Sequence, residues 1–232
     1  MKMNQRMRGG FTLVELLVVI VIIAALAGLT APMVIRQRKK ADQTEAVSNA
    51  RQVGLALFEF ETEYGNFPDD DTADAVFKAT EIPAIVGTTA NDKFRQLIAA
   101  GIAQSEGMFY AKTAFTKKPD GVIDPIGTEA VKKGEVGFGI LVKADGKGMS
   151  AAGNPSRPII AAPLKEAMDG TFDSDFYDGK AVVLKLDNSV SSFNIVKSSG
   201  KALISGKGIL ETGPGTVWGT DPAPQWAYPD KN

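Results

Sequence analysis

Gly9-Gly10-Phe11-Thr12-Leu13-Val14-Glu15 (residues 9–15) runs directly into LLVVIVIIAALAGLTAP (residues 16–32). Ahead of it stands a short leader carrying Lys2, Arg6 and Arg8. From Leu16 to Ile35 no residue is charged. Twenty residues of helix rise about 30 Å, the thickness of a bilayer core. The run therefore reads as membrane-inserting. A carboxylate costs about 2.5–3.5 kcal/mol at the centre of such a helix and less near its end. Glu15 sits near the N-terminal end, so it needs a partner.

Three kinds of segment fit a basic leader followed by an apolar run. One is a secretory signal peptide, with Ala25-Leu26-Ala27 as a small-residue cleavage site. Another is a plain N-terminal anchor. The third is a segment cut ahead of the apolar run, so that the apolar helix is kept. Glu15 separates them, because an ordinary signal peptide gains nothing from an acid at that place.

Composition narrows the chemistry. The 232 residues contain no cysteine and no histidine. Disulfides, zinc–thiolate sites, thiol nucleophiles and Ser-His-Asp arrangements are excluded. A formal net charge of −1 gives no field for nucleic acid, and none is expected as a partner. The charge is uneven: the leader is basic and the remainder mildly acidic.

Arg8 through Glu15 resembles the processing and methylation site of type IV pilins and type II secretion pseudopilins. The matching features are the basic leader, Gly10, Phe11, Thr12, Leu13 and Glu15, then the apolar run and Pro32. The resemblance implies that a prepilin peptidase cuts after Gly10 and that the new terminus at Phe11 is N-methylated. Before cleavage the Phe11 nitrogen is a neutral amide. Afterwards it is an amine with an ordinary pKa near 7.7–8.0, largely protonated at neutral pH. Glu15 can then pair with that amine on a neighbouring subunit, which relieves both desolvation costs. The plainer alternative pairs Glu15 with its own amine, or with the positive end of the helix dipole. The resemblance also implies a leader in the cytoplasm, a single span through the inner membrane and a periplasmic globular domain. Charge counting points the other way, since Arg36, Arg38, Lys39 and Lys40 follow the run and only three basic residues precede it.

Apolar and small residues recur at helical spacing beyond the membrane, at Val47, Ala50, Val53, Gly54, Leu57, Phe58, Phe60 and Tyr64. One helix from about Thr12 to Tyr64 would span roughly 80 Å. Pro32 is expected to bend it, Gly28 and Gly54 are softer points, and Gly65 is a C-cap with Pro68 beyond. This later stretch also resembles pseudopilins in its closing Tyr64-Gly65-Asn66-Phe67-Pro68. The chain thus divides into a leader (1–10), a transmembrane helix (11–35), its amphipathic continuation (36–65) and a globular domain (66–232).

In that domain Asp69-Asp70-Asp71 caps a helix around Thr72–Ala79, and Asn91 or Asp92 caps another through Ala103. Candidate strands are Met108–Lys112, Val136–Val142, Pro158–Ala162, Ala181–Leu186 and Val190–Val196. The last two are joined by a two-residue turn at Asp187-Asn188. The tail from Ser198 is rich in Gly and Pro and reads as an irregular wrap pinned by Trp218, Trp226 and Tyr228. The fold class is α+β, pilin-like: a long N-terminal helix, membrane-spanning in its first half, packed on a mostly antiparallel sheet.

No glycine-rich phosphate loop or dinucleotide fingerprint is present. Asp173, Asp175 and Asp178 form an oxygen-rich stretch that could bind calcium. The resemblance favours that slightly, because major pseudopilins hold calcium in a C-terminal loop. A solvated acidic turn is preferred, and no cofactor is expected. The leading function is a structural subunit rather than an enzyme, a type II secretion pseudopilin assembled through its N-terminal helix to aid protein export. Its partners would be the prepilin peptidase, copies of itself and other pseudopilins in a filament, the inner-membrane secretion platform and the lipid bilayer. A type IV pilus subunit for adhesion, motility or DNA uptake is the first alternative. A membrane-anchored binding module and a secreted protein cut near Ala27 are the others.

Overall fold

The computed structural model describes residues 12–124, 126, 129–165 and 169–231. Helix α1 runs Leu13–Tyr64. The chain forms two units, the first ending at Lys39 and the second beginning at Lys40.

In the first unit every described residue through Arg38 is exposed, the apolar run included. This helix has no protein core to bury its side chains in, and it is long and apolar enough to cross a membrane. It continues through Pro32. A proline there withdraws the N–H that would otherwise reach the Gly28 carbonyl. Thr30, just before, donates its hydroxyl to the Leu26 carbonyl at 3.0 Å.

The second unit begins with the remainder of α1, which buries Ala46, Ala50, Val53, Gly54, Ala56, Leu57 and Phe60. Their spacing of three and four residues makes one face of a helix. That face lies on an antiparallel sheet. Gln43 Nε2 reaches Ser192 Oγ at 2.8 Å. Helix and sheet approach closely at Gly54, since a Cβ there would stand 2.1 Å from Asn188 Oδ1 and 3.0 Å from Leu184 Cδ2. The helix stops at Gly65, whose φ of +88° takes it out of the helical region while its N–H caps the Glu61 carbonyl at 2.7 Å.

The sheet has seven strands: β1 (Gly139–Val142), β2 (Pro158–Ala162), β3 (Lys180–Lys185), β4 (Val190–Val196), β5 (Lys201–Ile204), β6 (Lys207–Gly208) and β7 (Gln225–Ala227). Their order is β6-β5-β4-β3-β2-β1-β7, and every pair is antiparallel. Strands β1 and β2 are buried at every position, so both of their faces are covered. Two short helices complete the unit, α2 (Asp70–Thr80) and α3 (Ala90–Ala99). The ring of Phe94 on α3 stacks on Phe109 with centroids 4.8 Å apart.

Several elements differ from expectation for identifiable reasons. The N-cap of α3 is Thr89, in a capping box with Asp92. Asn91 is occupied elsewhere, donating to the Val131 and Lys132 carbonyls and accepting the Asp230 N–H. The same helix ends at Ala99 rather than Ala103. Gly101, at φ +75°, turns the chain so that the Ile102 and Ala103 N–H groups fold back onto the Leu97 carbonyl. Met108–Lys112 is not a strand. Glu106–Phe109 forms a 3₁₀ turn capped by Ser105, and burial of Phe109 rather than sheet pairing explains its apolar character. The β3–β4 loop has three residues, Leu186 to Asn188, because Asn188 takes a positive φ of 59° and Lys185 pairs with Ser189. The expected strand at Val136 pairs only from Gly139. The tail is more regular than an irregular wrap, since it supplies β5, β6 and β7, while Trp218 and Trp226 are buried as expected.

Close backbone approach leaves no room for a side chain at Gly137, against Ala111, or at Gly148. A Cβ at Gly148 would lie 2.0 Å from the Phe67 carbonyl oxygen, a main-chain atom that cannot rotate aside. Gly148→Ala is expected to lower the unfolding free energy of the detergent-solubilised chain by about 1–3 kcal/mol or more. Gly208→Ala, where the nearest atom is 3.7 Å away, should stay within about 0.5 kcal/mol. Denaturant melts of the two variants beside the parent check this.

Candidate assembly site at the head of the apolar helix

The site is built from the first turn of α1. The helix starts where Thr12 precedes an unbroken apolar run, and its first N–H groups have no carbonyls to bond. Thr12 and Glu15 supply the missing partners to each other. The Glu15 N–H donates to Thr12 Oγ1 at 3.2 Å, and the Thr12 N–H donates to Glu15 Oε2 at 2.8 Å. The Thr12 hydroxyl donates to the same Oε2 at 2.7 Å. This is a reciprocal capping box. Its value is greatest in lipid, where no water would satisfy those groups.

Both bonds to Glu15 fall on Oε2. Among the described residues Oε1 takes no donor. The carboxylate is therefore half used by its own helix and keeps one oxygen for a cation. Gly10 and Phe11, the expected processing pair, lie outside the described residues. Thr12 is a partner that the sequence reading does not assign to Glu15, although the signal was there as Thr-x-x-Glu directly before an apolar run.

The expected calcium ligands do not converge. Asp173 Oδ1 accepts the Asp175 N–H at 2.9 Å, which makes a tight local turn. Asp178 is exposed, at φ +56°. Among the described residues the acidic side chains that do gather are Glu106, Asp120 and Glu135, with oxygens within 4.8 Å of one another. They come from separate loops, which is why sequence spacing hides them. Their oxygens already have donors. Glu106 accepts the Gly121 N–H at 2.9 Å and the Val131 N–H, and Glu135 accepts the Lys132 N–H at 2.7 Å. Lys132 Nζ lies 2.8 Å from Asp120 and 3.1 Å from Glu129. A resident ammonium and three backbone N–H donors make this a loop clamp.

Titration behaviour follows from that clamp. Burial pushes the Glu106 carboxyl above its ordinary value of 4.5, opposed by the N–H bonds from Val131 and Gly121 and aided by the nearby Glu135 and Asp120. Asp120, hydrogen-bonded to Lys132, is held below the ordinary range.

Comparison with known proteins adds to this geometry. A family model described as the prokaryotic N-terminal methylation motif matches residues 5–31. The N-terminal segment is of the prepilin type. Among curated proteins, the chain is similar over part of its length to proteins called type II secretion system core protein G. The one from Aeromonas hydrophila is 39% identical over 66 residues, 28% of this chain and 46% of the relative. The Escherichia coli K12 protein is 35% identical over 82 residues, 35% of this chain and 55% of the relative. The Pectobacterium carotovorum protein is 37% identical over 62 residues, 27% and 40% respectively. The chain thus spans about half the length of the curated relatives it matches. No solved structure matches it.

A pH experiment tests the clamp. A carboxyl raised in the folded state binds its proton more readily there than in the unfolded chain. Its stabilising contribution is complete below the unfolded value and is lost as pH rises through the folded one. The melting temperature of the parent relative to Glu106→Gln should therefore rise as pH falls from 7 toward 5. A difference that stays flat or shrinks over this window contradicts the assignment.

Proposed function

We propose that this chain is a structural pseudopilin subunit of a type II secretion filament, cut after Gly10 and assembled through its N-terminal helix to aid protein export. The observation that carries the reading is the match of residues 5–31 to the N-terminal methylation motif, joined to partial similarity with type II secretion core proteins. Those relatives favour secretion over a type IV pilus. The absence of cysteine points the same way in a weaker sense, because the resemblance links many pilus subunits to a C-terminal disulfide. In this reading the chemistry is done to the protein and not by it, and the filament reaches out from the inner membrane with the globular unit on the periplasmic side.

Glu15 then has two duties. Oε2 holds the helix start through Thr12, and Oε1 is left for the amine that cleavage creates at Phe11 of a neighbouring subunit. An ion pair formed in lipid relieves two desolvation costs at once. Orphaning one partner of such a pair costs about 3–5 kcal/mol. Unprocessed chains, whose Phe11 nitrogen is an amide, have no cation to offer and stay out of the filament.

Two measurements test this. N-terminal sequencing with mass analysis of the native product is expected to find a methylated Phe11 end. An end near Gly28 would instead indicate a secreted protein, and an intact leader a plain anchor. Glu15→Gln separates the two duties, because glutamine also serves at the third position of a capping box but carries no charge. It should leave the chain helical and membrane-inserted while cutting filament yield by at least about tenfold. Thr12→Val, which removes the cap and keeps the charge, should cost far less. Normal filament yield from Glu15→Gln would sink the ion-pair role.

A further inference from the structure

The basic residues after the apolar run have no place in the assembly scheme above, and by simple charge counting they oppose the expected topology. Arg36, Arg38 and Lys39 follow Ile35 directly, Lys40 comes next, and Asp42 is the first acid downstream. Arg36 and Arg38 are exposed and Lys39 is half-exposed. None of the three makes an ion pair with another described residue. Four cations in five positions, none in an ion pair among the described residues, call for a counter-charge from elsewhere.

Two geometric facts say what kind. Leu16–Ile35 is twenty residues long, about 30 Å of helix, so when Leu16 sits at one edge of the hydrocarbon Arg36 arrives at the other. The cations also do not all share a face. At about 100° per residue, Lys39 and Lys40 lie about 60° and 40° to either side of Arg36, while Arg38 lies about 200° around the helix from it. No single partner surface on one side would meet all four. A collar that faces several directions at the depth of the head groups suits what surrounds a lone helix in a bilayer.

We infer that Arg36, Arg38 and Lys39 form a juxtamembrane collar that binds the anionic head groups of the leaflet at the C-terminal end of the apolar segment. Long Arg and Lys side chains bring their aliphatic stems along the helix and place the charge among phosphates. The collar selects anionic over zwitterionic lipid. It also fixes the depth of the subunit, and it adds an electrostatic step to withdrawal from the membrane during assembly. This rests on the reading that the apolar helix spans a bilayer, which the experiment below tests separately.

The full chain is reconstituted in phosphatidylcholine bilayers with traces of spin-labelled phosphatidylglycerol or phosphatidylcholine, labelled near the chain end. Electron paramagnetic resonance reads the fraction of each lipid that is motionally restricted by the protein. At 10 mM salt, phosphatidylglycerol is expected to associate about threefold or more tightly than phosphatidylcholine. The preference should approach parity at 1 M salt, where the screening length falls to about 3 Å. The variant Arg36→Gln/Arg38→Gln/Lys39→Gln should lose the preference while restricting as much total lipid. A leader variant, Lys2→Gln/Arg6→Gln/Arg8→Gln, should keep most of it. Equal restriction of the two lipids by the parent overturns the collar and makes an acidic protein the occupant. Loss of preference in the leader variant alone also overturns it. Absence of any restricted component for either lipid overturns the membrane-spanning reading itself.

Discussion

A carboxylate at the mouth of a twenty-residue uncharged run is the constraint on which the rest depends. Lipid offers no water to a backbone N–H or to a charge, so each must find a partner within the protein or its assembly. Thr12 answers the first need within one turn of helix. It answers the second only in part, because hydroxyl and amide donors carry no full charge. What is left over on Glu15 is one carboxylate oxygen with no donor among the described residues. Under the proposed function the cation comes from cleavage, and the order of events is then built into electrostatics: no cut, no amine, no counter-ion.

The second unit solves a different problem, which is to hold a sheet against the later part of α1, with small residues interleaved with the larger Leu57 and Phe60 on the buried face. Ala46, Ala50, Val53, Gly54 and Leu57 form a shallow stripe, and Gly54 is placed where Asn188 and Leu184 would meet any side chain. Asn188 has its own demand, since the turn it closes needs a residue that tolerates a positive φ. The two meet because each is constrained for its own reason. Around them, polar ties hold long loops in place: Asn91 to Asp230 at the tail, and Glu106 to Gly121 and Val131 in the segment before β1.

Legibility in the sequence followed the range of the forces involved. The long helix, its stop at Gly65, the cap at Asp69 and the strands Pro158–Ala162 and Val190–Val196 were readable because periodicity, capping chemistry and β-branched runs act over a few residues. The failures were local signals overruled from afar. Asn91 looks like an N-cap, but its amide is committed to carbonyls at 131 and 132 and its oxygen to residue 230. Met108–Lys112 looks like a strand, but Phe109 is spent on Phe94. The Glu106, Asp120 and Glu135 clamp could not be seen at all, since nothing in the spacing announces that three loops meet. At the site, Glu15 stood out by chemical incongruity, whereas its bond to Thr12 followed a familiar four-residue pattern that the more conspicuous features around it overshadowed.

The two margins of the sheet carry a last consequence. One border is β6, only Lys207–Gly208, and the other is β7, only Gln225–Ala227. Long bare edges recruit strands from other molecules, and proteins guard against that with short or charged border strands. For a chain proposed to stack into a filament, the guard matters more than usual. Borders this short give cross-β aggregation little template, so that the proposed stacking through helices meets little competition from amyloid-like clumping.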